Sequence, residues 1–163
     1  MNNDYADRAK EILKTIEYAT IATVDKDGKP WNSPVARTLD DELNVYWFSD
    51  KNSQHSQNVR ANENVFIVIY DSTAPLGEGE GVYIEAKACE LTDPDEIAKA
   101  RRLKKGYGNS VSPSDFLGEA NRRVYKAVPQ RVWVNDSEKR DGVFIRDYRV
   151  EVSLDELKTI KSS

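Results

Sequence analysis

Histidine, cysteine and methionine are the scarcest residues of this 163-residue sequence, which contains one of each. Because Cys89 has no second cysteine to pair with, no internal disulfide can form, which fits a reducing cytoplasm. Zinc sites need several His, Cys or acidic ligands at short spacings, whereas His55 lies 34 positions from Cys89. The serines beside His55 also lack the Gly-x-Ser-x-Gly pattern of an exposed nucleophile. The sequence therefore argues against a structural metal ion and against hydrolase chemistry.

Long apolar runs and blocks of basic residues are also missing. No stretch approaches the roughly 18 apolar residues that a membrane helix needs, and residues 1–5 lack the apolar core of a signal peptide. Charged residues are dense but mixed, with 24 basic against 28 acidic side chains and a net charge of −4. This balance argues against general affinity for nucleic acid. We therefore expect a soluble cytoplasmic protein without a membrane or nucleic-acid partner.

The spacing of apolar residues changes early in the chain from helical to strand periodicity. Tyr5, Ala9, Ile12 and Ile16 recur at helical spacing and predict a first helix over roughly residues 4–17. Short alternating segments between residues 20 and 48 follow, separated by turns rich in Asp and Gly, and they predict an antiparallel meander. Pro34 within the meander indicates an edge strand or a bulge, because proline cannot donate to a strand ladder.

The second half of the sequence adds further strands and short helices. Continuous apolar residues predict a strand over 65–70, and a long strand is expected over 82–91. Asp93 begins a helix with a proline at its first position. Strands are expected on both sides of Pro129, followed by one more strand and a terminal helix. Together these elements predict a mainly β fold with peripheral helices, an antiparallel barrel. We expect a single domain over residues 1–163, with an N-terminal helix and a C-terminal helical tail.

The most informative segment lies where a predicted strand ends and a predicted helix begins, from Ser49 to His55. Such a junction presents free backbone N–H groups, which favour anions. The hydroxyls of Ser49 and Ser53 can donate two more hydrogen bonds, and Lys51 or His55 can supply positive charge. The alternative is a capped surface helix in which Ser53 satisfies its own backbone and His55 is an exposed polar residue.

Several segments, in order and spacing, resemble the pyridoxamine 5′-phosphate oxidase-like flavoproteins, a family of FMN-binding split barrels. Tyr46-Trp47-Phe48-Ser49, followed after three residues by Ser53-Gln54-His55, resembles the aromatic-Thr/Ser … Ser-Arg-Lys stretch of that family. The resemblance extends over roughly residues 8–136. The other matching segments are residues 19–27, 28–30, 32–35, 58–65, 82–88 and 129–134.

The resemblance implies a homodimer of antiparallel split β-barrels, with FMN held in grooves that both subunits share. It places Ser49 and Ser53 at the FMN phosphate or ribityl chain, and residues 32–35 at the edge of the isoalloxazine ring. Arg37 would reach the phosphate, and Trp133 would approach the flavin from the partner subunit. The cofactor-binding residues that the resemblance implies are Asn32, Ser33, Pro34, Val35, Arg37, Phe48, Ser49, Lys51, Ser53, Gln54, His55 and Trp133.

Two departures from the family pattern bear on the activity. Gln54 and His55 replace the basic pair that usually grips the phosphate, and an imidazole with an unperturbed pKa of about 6.5 is only partly charged at neutral pH. A late Arg-x-His pattern is absent because His55 is the only histidine, which argues against pyridoxamine 5′-phosphate oxidation itself. The sequence thus predicts an FMN-dependent oxidoreductase acting on an unidentified small molecule. Its alternatives are a non-enzymatic flavin carrier, sensor or stress protein, a deazaflavin-dependent reductase, and heme binding through His55.

Overall fold

The computed structural model describes residues 4–104, 106 and 111–158 of the chain. In these residues the chain forms four α-helices, α1 (Asp4–Thr15), α2 (Gln54–Ala61), α3 (Pro94–Leu103) and α4 (Leu154–Leu157), and a 3₁₀ turn over Pro113–Phe116. Its strands are β1 (Tyr18–Val24), β2 (Pro30–Leu39), β3 (Val45–Asp50), β4 (Asn64–Tyr70), β5 (Gly81–Glu90), β6 (Arg122–Arg140) and β7 (Val143–Val152). Asp93 caps α3 by accepting a hydrogen bond from the Asp95 amide, as its position before Pro94 predicts.

The strands form one antiparallel sheet that closes on itself. Their order is β3-β2-β1-β4-β5-β6-β7, and an additional pairing joins β3 to β6. Six strands therefore enclose a barrel, and β7 extends the sheet from the second half of β6. Among the described residues, β2 pairs with β3 only through residues 37–39, whereas residues 30–36 pair with β1 alone. The barrel is split beside the first half of β2, which confirms the predicted antiparallel split barrel.

Two prolines take the positions that their missing N–H group permits. Pro34 lies in the half of β2 whose second edge has no strand partner in the described part of the chain, as predicted. Pro129, by contrast, does not separate two strands, because β6 runs through it without a break. The register against β5 shifts there, with Glu85 opposite Arg131 and Ala86 opposite Pro129. This bulge lets a proline occupy a central strand because one residue stands outside the ladder.

The hairpin between β6 and β7 is longer than the alternating pattern of the last strand predicts. Its two-residue turn consists of Asp141 and Gly142, which both adopt positive φ angles of 51° and 79°. Two successive positive φ angles are typical of the type I′ turn, whose twist matches that of the flanking strands. β7 consequently begins at Val143 and pairs with β6 along its whole length.

Two hydrophobic clusters hold the helices against the barrel. Inside it, the buried rings of Trp47 and Tyr125 stack with centroids 5.4 Å apart, and α1 packs onto this cluster through residues such as Ala9 and Leu13. On the opposite side of β3, Tyr46 belongs to a second cluster under α3 and the 3₁₀ turn. Among the described residues, none of the helices combines the length and the apolar character that crossing a membrane requires.

Candidate functional site

The predicted site segment forms a tight connection between β3 and α2. Ser49 and Asp50 end the strand, and α2 begins at Gln54 after a turn over residues 51–53. The Asp50 side chain accepts a hydrogen bond from the Asn52 amide at 2.6 Å, and the Asp50 carbonyl accepts one from the Ser53 amide at 3.2 Å. These local bonds fix the turn, so that residues six positions apart face each other.

Three side chains meet at this turn and are named the Ser–His cluster: Ser49, Ser53 and His55. His55 Nε2 lies 2.8 Å from Ser49 Oγ and 3.2 Å from Ser53 Oγ. Burial lowers the pKa of His55 below its ordinary value. The imidazole is therefore mainly neutral at pH 7, with one nitrogen that donates and one that accepts.

Ser53 stands at the N-cap of α2, but its hydroxyl makes no capping hydrogen bond. Its Oγ instead lies 2.9 Å from the Asp50 carbonyl and 2.8 Å from the Oγ of the buried Ser56. The amides of residues 54–56 precede the first intrahelical hydrogen bond, which Gln57 donates to the Ser53 carbonyl. This differs from the capped surface helix, because the Ser53 oxygen does not satisfy the helix amides. Hydroxyl groups and helix amides thus point to the same small region.

The cationic side chains predicted for the site are engaged elsewhere. Arg37 Nη2 donates to the carbonyls of Leu13, at 2.7 Å, and Ile16, where the backbone leaves α1. Burial lowers the pKa of Arg37 to about 10, which still leaves it charged at neutral pH. Lys51 Nζ donates to the Glu119 carbonyl at 3.3 Å. The structure therefore ties the Arg37 charge to the end of α1 and does not bring it into the Ser–His cluster.

The neutral residues predicted for the site fall into two groups. Gln54 stays beside the cluster and donates from Nε2 to Asn58 Oδ1 at 2.8 Å. Residues 32–35 lie in the half of β2 with an open edge, where Ser33 Oγ accepts a hydrogen bond from Trp31 Nε1 at 3.1 Å. Asn32 and Pro34 are exposed and Val35 is buried. The second edge of this half-strand has no strand partner in the described part of the chain, and a contact of residues 32–35 with the cofactor ring stays a prediction.

Two predicted aromatic residues lie away from the Ser–His cluster. Phe48 points to the face of β3 opposite Ser49 and makes an edge contact with Phe116, with ring centroids 5.1 Å apart. Trp133 stacks on Phe66 with centroids 6.3 Å apart, on the outer face of the barrel. In one chain, Phe48 and Trp133 are therefore not brought together with Ser49. A contact of Trp133 with the flavin of a partner subunit stays a prediction.

The sequence does not predict several polar residues that lie beneath the Ser–His cluster, on α2 and on the neighbouring strands. The buried side chain of Asn58 donates to Thr23 Oγ1 at 3.0 Å, which joins α2 to β1. Tyr125 OH donates to Glu90 Oε2 at 3.2 Å, and the fully buried Ser56 lies 2.8 Å from Ser53, Oγ to Oγ. The spacing of Ser53 and Ser56, one helical turn apart, is a local signal that could have identified Ser56. Tyr125 and Glu90 are too distant in sequence for such a signal.

A cleft of about 600 Å³ lies elsewhere, between α1, the loop over residues 77–80 and the β6–β7 hairpin. It contains none of the predicted site residues, and acidic and basic side chains line it together. In the described part of the chain, no group of three or more His, Cys, Asp or Glu residues could hold a metal ion. Because hydrogen-bond donors converge at the Ser–His cluster, that cluster is the better candidate for an anion site.

Comparison with known proteins supports the fold and the family. A curated relative, NADPH–cytochrome P450 reductase of Candida maltosa, is 25% identical over 154 residues, which cover 86% of this chain but 22% of the reductase. A heme binding protein from Mycobacterium smegmatis superposes with a TM-score of 0.68 at 19% identity, covering 94% of this chain and 59% of that protein. The chain thus spans only part of these two relatives.

Two further solved structures match over most of their own length. The heme storage protein HutZ from Vibrio cholerae has a TM-score of 0.64 at 18% identity, covering 77% of this chain and 90% of HutZ. General Stress Protein 26 from Bacillus anthracis has a TM-score of 0.58 at 18% identity, covering 86% and 97%. The model of the family described as pyridoxamine 5′-phosphate oxidase matches residues 5–136. This chain therefore belongs to the pyridoxamine 5′-phosphate oxidase family.

Proposed function

We propose that this protein binds FMN and is a flavin-dependent oxidoreductase acting on a small molecule. The observation that carries the proposal is the Ser–His cluster beside the uncapped start of α2. Two serine hydroxyls, an imidazole and up to three backbone amides can all donate hydrogen bonds to a phosphate there. Membership of a family that commonly binds flavin supports FMN as the source of that phosphate.

The donor set fits a phosphate group, although it holds little fixed charge. Gln54 and His55 offer an amide and a largely neutral ring, and Lys51 is bonded to the Glu119 carbonyl. We therefore expect the phosphate to be held mainly by neutral donors. Bound flavin would supply the redox chemistry, while the chain would hold the cofactor and orient it against a substrate. The residues present do not indicate a particular acid or base.

The proposal includes a homodimer whose subunits share the cofactor site. The outer face of β4, β5 and β6 presents Phe66 and Trp133, which are both half-buried. Aromatic side chains on an exposed sheet face are typical of protein–protein contacts. An assembly through this face would bring Trp133 to a second subunit. Light scattering at micromolar concentration tests it, since the monomer has a mass of 18.5 kDa.

Three alternative functions are compatible with the same fold, and each predicts a different experimental result. A flavin carrier, sensor or stress protein would bind FMN without turnover, and the name General Stress Protein 26 of one neighbour fits this reading. A deazaflavin-dependent reductase would prefer that cofactor in a direct competition with FMN. Two neighbours named for heme support heme binding, which here would require His55 as the ligand. The Nε2 atom of His55 is already within hydrogen-bond distance of two serine hydroxyls, and this favours an anion site over heme binding.

We expect purified protein to bind FMN, and to bind it more tightly than riboflavin, which lacks the phosphate. The double variant Ser49→Ala with Ser53→Ala should weaken FMN binding about 10-fold or more, because two hydroxyl hydrogen bonds are lost. Riboflavin binding should change little. Quenching of flavin fluorescence measures both affinities, and the absorption spectrum separates flavin from heme.

The matched control is Ser72→Ala with Ser153→Ala, which removes two exposed serines outside the site. Its affinities should equal those of the unaltered protein. If the protein binds FMN no better than riboflavin, or if both double variants behave alike, the phosphate site is not the Ser–His cluster. A heme absorption band that survives His55→Ala would count against heme binding through this residue.

FMN affinity should also depend on pH through His55. Burial keeps the pKa of free His55 low, whereas a neighbouring phosphate raises it, so the complex takes up a proton. We therefore expect FMN to bind several-fold more tightly as the pH falls from about 8 to about 6.5, and riboflavin affinity to stay constant. His55→Gln should remove this dependence. An equal pH dependence for FMN in the variant would exclude His55 from the phosphate site.

A further inference from the structure

Arg60 connects the turn of the proposed phosphate site to the barrel wall. It lies in the last turn of α2, and its Nη2 donates to the Lys51 carbonyl at 2.6 Å. Its Nη1 donates to Glu90 Oε2 at 2.9 Å and lies 3.4 Å from Tyr125 OH. One guanidinium therefore contacts the turn at which the Ser–His cluster forms, the end of β5 and the side chain of Tyr125 on β6.

Glu90, which pairs with Arg60, also accepts a hydrogen bond from a buried hydroxyl group. The Glu90 carboxylate can only accept, so Tyr125 OH donates to it at 3.2 Å. Burial raises the pKa of Tyr125, which keeps this donor protonated. The hydroxyl of Ser56 is fully buried, and Ser56 Oγ lies 2.8 Å from Ser53 Oγ.

Arg60, Arg123 and Glu90 together carry a net positive charge, which favours a bound anion nearby. Arg123 is buried and also donates to Glu90, from Nε to Oε1 at 3.1 Å. Arg60 and Arg123 contribute two positive charges against the single carboxylate of Glu90, which leaves one net positive charge. Arg60 brings a positive charge to the turn over residues 51–53, which also holds the Asp50 carboxylate, whereas positions 54 and 55 carry no fixed charge. Removing Arg60 would cancel the net charge while Arg123 still pairs with Glu90.

We propose that Arg60 is a positioning residue of the phosphate site, which fixes the turn over residues 51–53 through the Lys51 carbonyl. Arg60 also supplies the fixed positive charge that the usual basic pair provides in the resembling proteins. This inference rests on the proposed FMN function and assigns a role to a residue outside the Ser49–His55 segment.

The test compares Arg60→Met and Arg60→Lys in titrations with FMN and with riboflavin. Because a charge-assisted hydrogen bond is lost at the turn, Arg60→Met should weaken FMN binding about 10-fold or more. Riboflavin affinity should stay within about twofold, since the phosphate carries the effect. Arg60→Lys keeps the charge but cannot contact the turn, Glu90 and Tyr125 together, so its FMN affinity should lie between those of Arg60→Met and the unaltered protein.

Arg102→Met is the control, because it removes the same charge from an exposed position on α3. The Arg60 side chain is 41% exposed, and Glu90 keeps its hydrogen bond from Arg123 when Arg60 is replaced. The Arg60 variants are therefore expected to fold, and circular dichroism tests this. Equal losses for FMN and riboflavin, or an FMN affinity in Arg60→Met equal to that of Arg102→Met, would overturn the positioning role. If the unaltered protein itself does not prefer FMN over riboflavin, the proposed function fails first and this inference fails with it.

Discussion

Replacing Asp40 with alanine is expected to destabilise the fold by about 3 kcal/mol or more, although Asp40 lies outside the proposed site. Its side chain is 3% exposed, and both of its carboxylate oxygens accept hydrogen bonds. Oδ1 accepts from the amides of Glu42 and Asn44, at 3.0 and 2.9 Å. Oδ2 accepts from Asn44 Nδ2, Tyr46 OH and Lys99 Nζ, at 3.0, 2.9 and 2.6 Å. Each buried donor that loses its acceptor costs about 1–3 kcal/mol.

The same carboxylate makes stability depend on pH. Desolvation by burial tends to raise the pKa of Asp40, but hydrogen bonds from Asn44, Lys99 and Tyr46 outweigh it and hold the pKa below its ordinary value. A carboxyl group whose pKa is lowered by folding stabilises the protein above its unfolded pKa, about 3.9 for Asp. That stabilisation is lost as the pH falls through the lowered pKa of the folded state. The advantage of the native chain over Asp40→Asn should therefore be largest near neutral pH and shrink in acid.

Urea unfolding at neutral pH measures the effect, with Glu78→Ala as the control. Glu78 is exposed, so removing its carboxylate should change the free energy of unfolding by about 0.5 kcal/mol or less. Tyr46→Phe removes only one donor to Asp40 and should cost about 1 kcal/mol. If Asp40→Ala is as stable as Glu78→Ala, the hydrogen bonds around Asp40 do not stabilise the connection between β2 and β3.

Much of the barrel could be predicted because its signals are local. The alternation in β1 to β3 and the apolar run of β4 depend on neighbouring residues, and all four strands form where the pattern places them. Pro129 was a misleading local signal, since its usual effect of ending a strand is overcome by pairing with β5 on one side and by a bulge. The register shift depends on residues more than 40 positions away, which the sequence pattern around Pro129 does not contain.

The candidate site shows the same division between local and distant contacts. Ser49, Ser53 and His55 meet because a short turn joins them, so a segment of seven residues contains the whole local signal. Arg37 follows the strand pattern, but its guanidinium donates to the carbonyls of Leu13 and Ile16, at the end of α1 and more than 20 positions earlier in the chain. The direction of a long side chain depends on tertiary packing, which periodicity does not encode.

Gln54→Arg is expected to strengthen FMN binding about 10-fold or more, because it restores one cation at the start of α2. Gln54 is exposed, and its side chain makes one hydrogen bond, to Asn58, so an arginine can be accommodated without repacking. A positive charge in the first turn opposes the helix dipole and should lower stability by about 0.3–1 kcal/mol. Affinity and stability should therefore change in opposite directions. Riboflavin, which lacks the phosphate, should bind as it does to the unaltered protein.

Gln57→Arg provides the matched control for this gain. Gln57 is also exposed, lies one turn further along α2 and likewise gives up one side-chain hydrogen bond, to the Asn52 carbonyl. Both variants change the net charge of the protein by the same amount, so long-range attraction of the anionic ligand is equal. A gain in FMN affinity for Gln54→Arg alone would place the phosphate at the N-terminal end of α2. Equal gains in both variants would mean that only the overall charge matters, and no gain in either would mean that the phosphate does not contact this end of the helix.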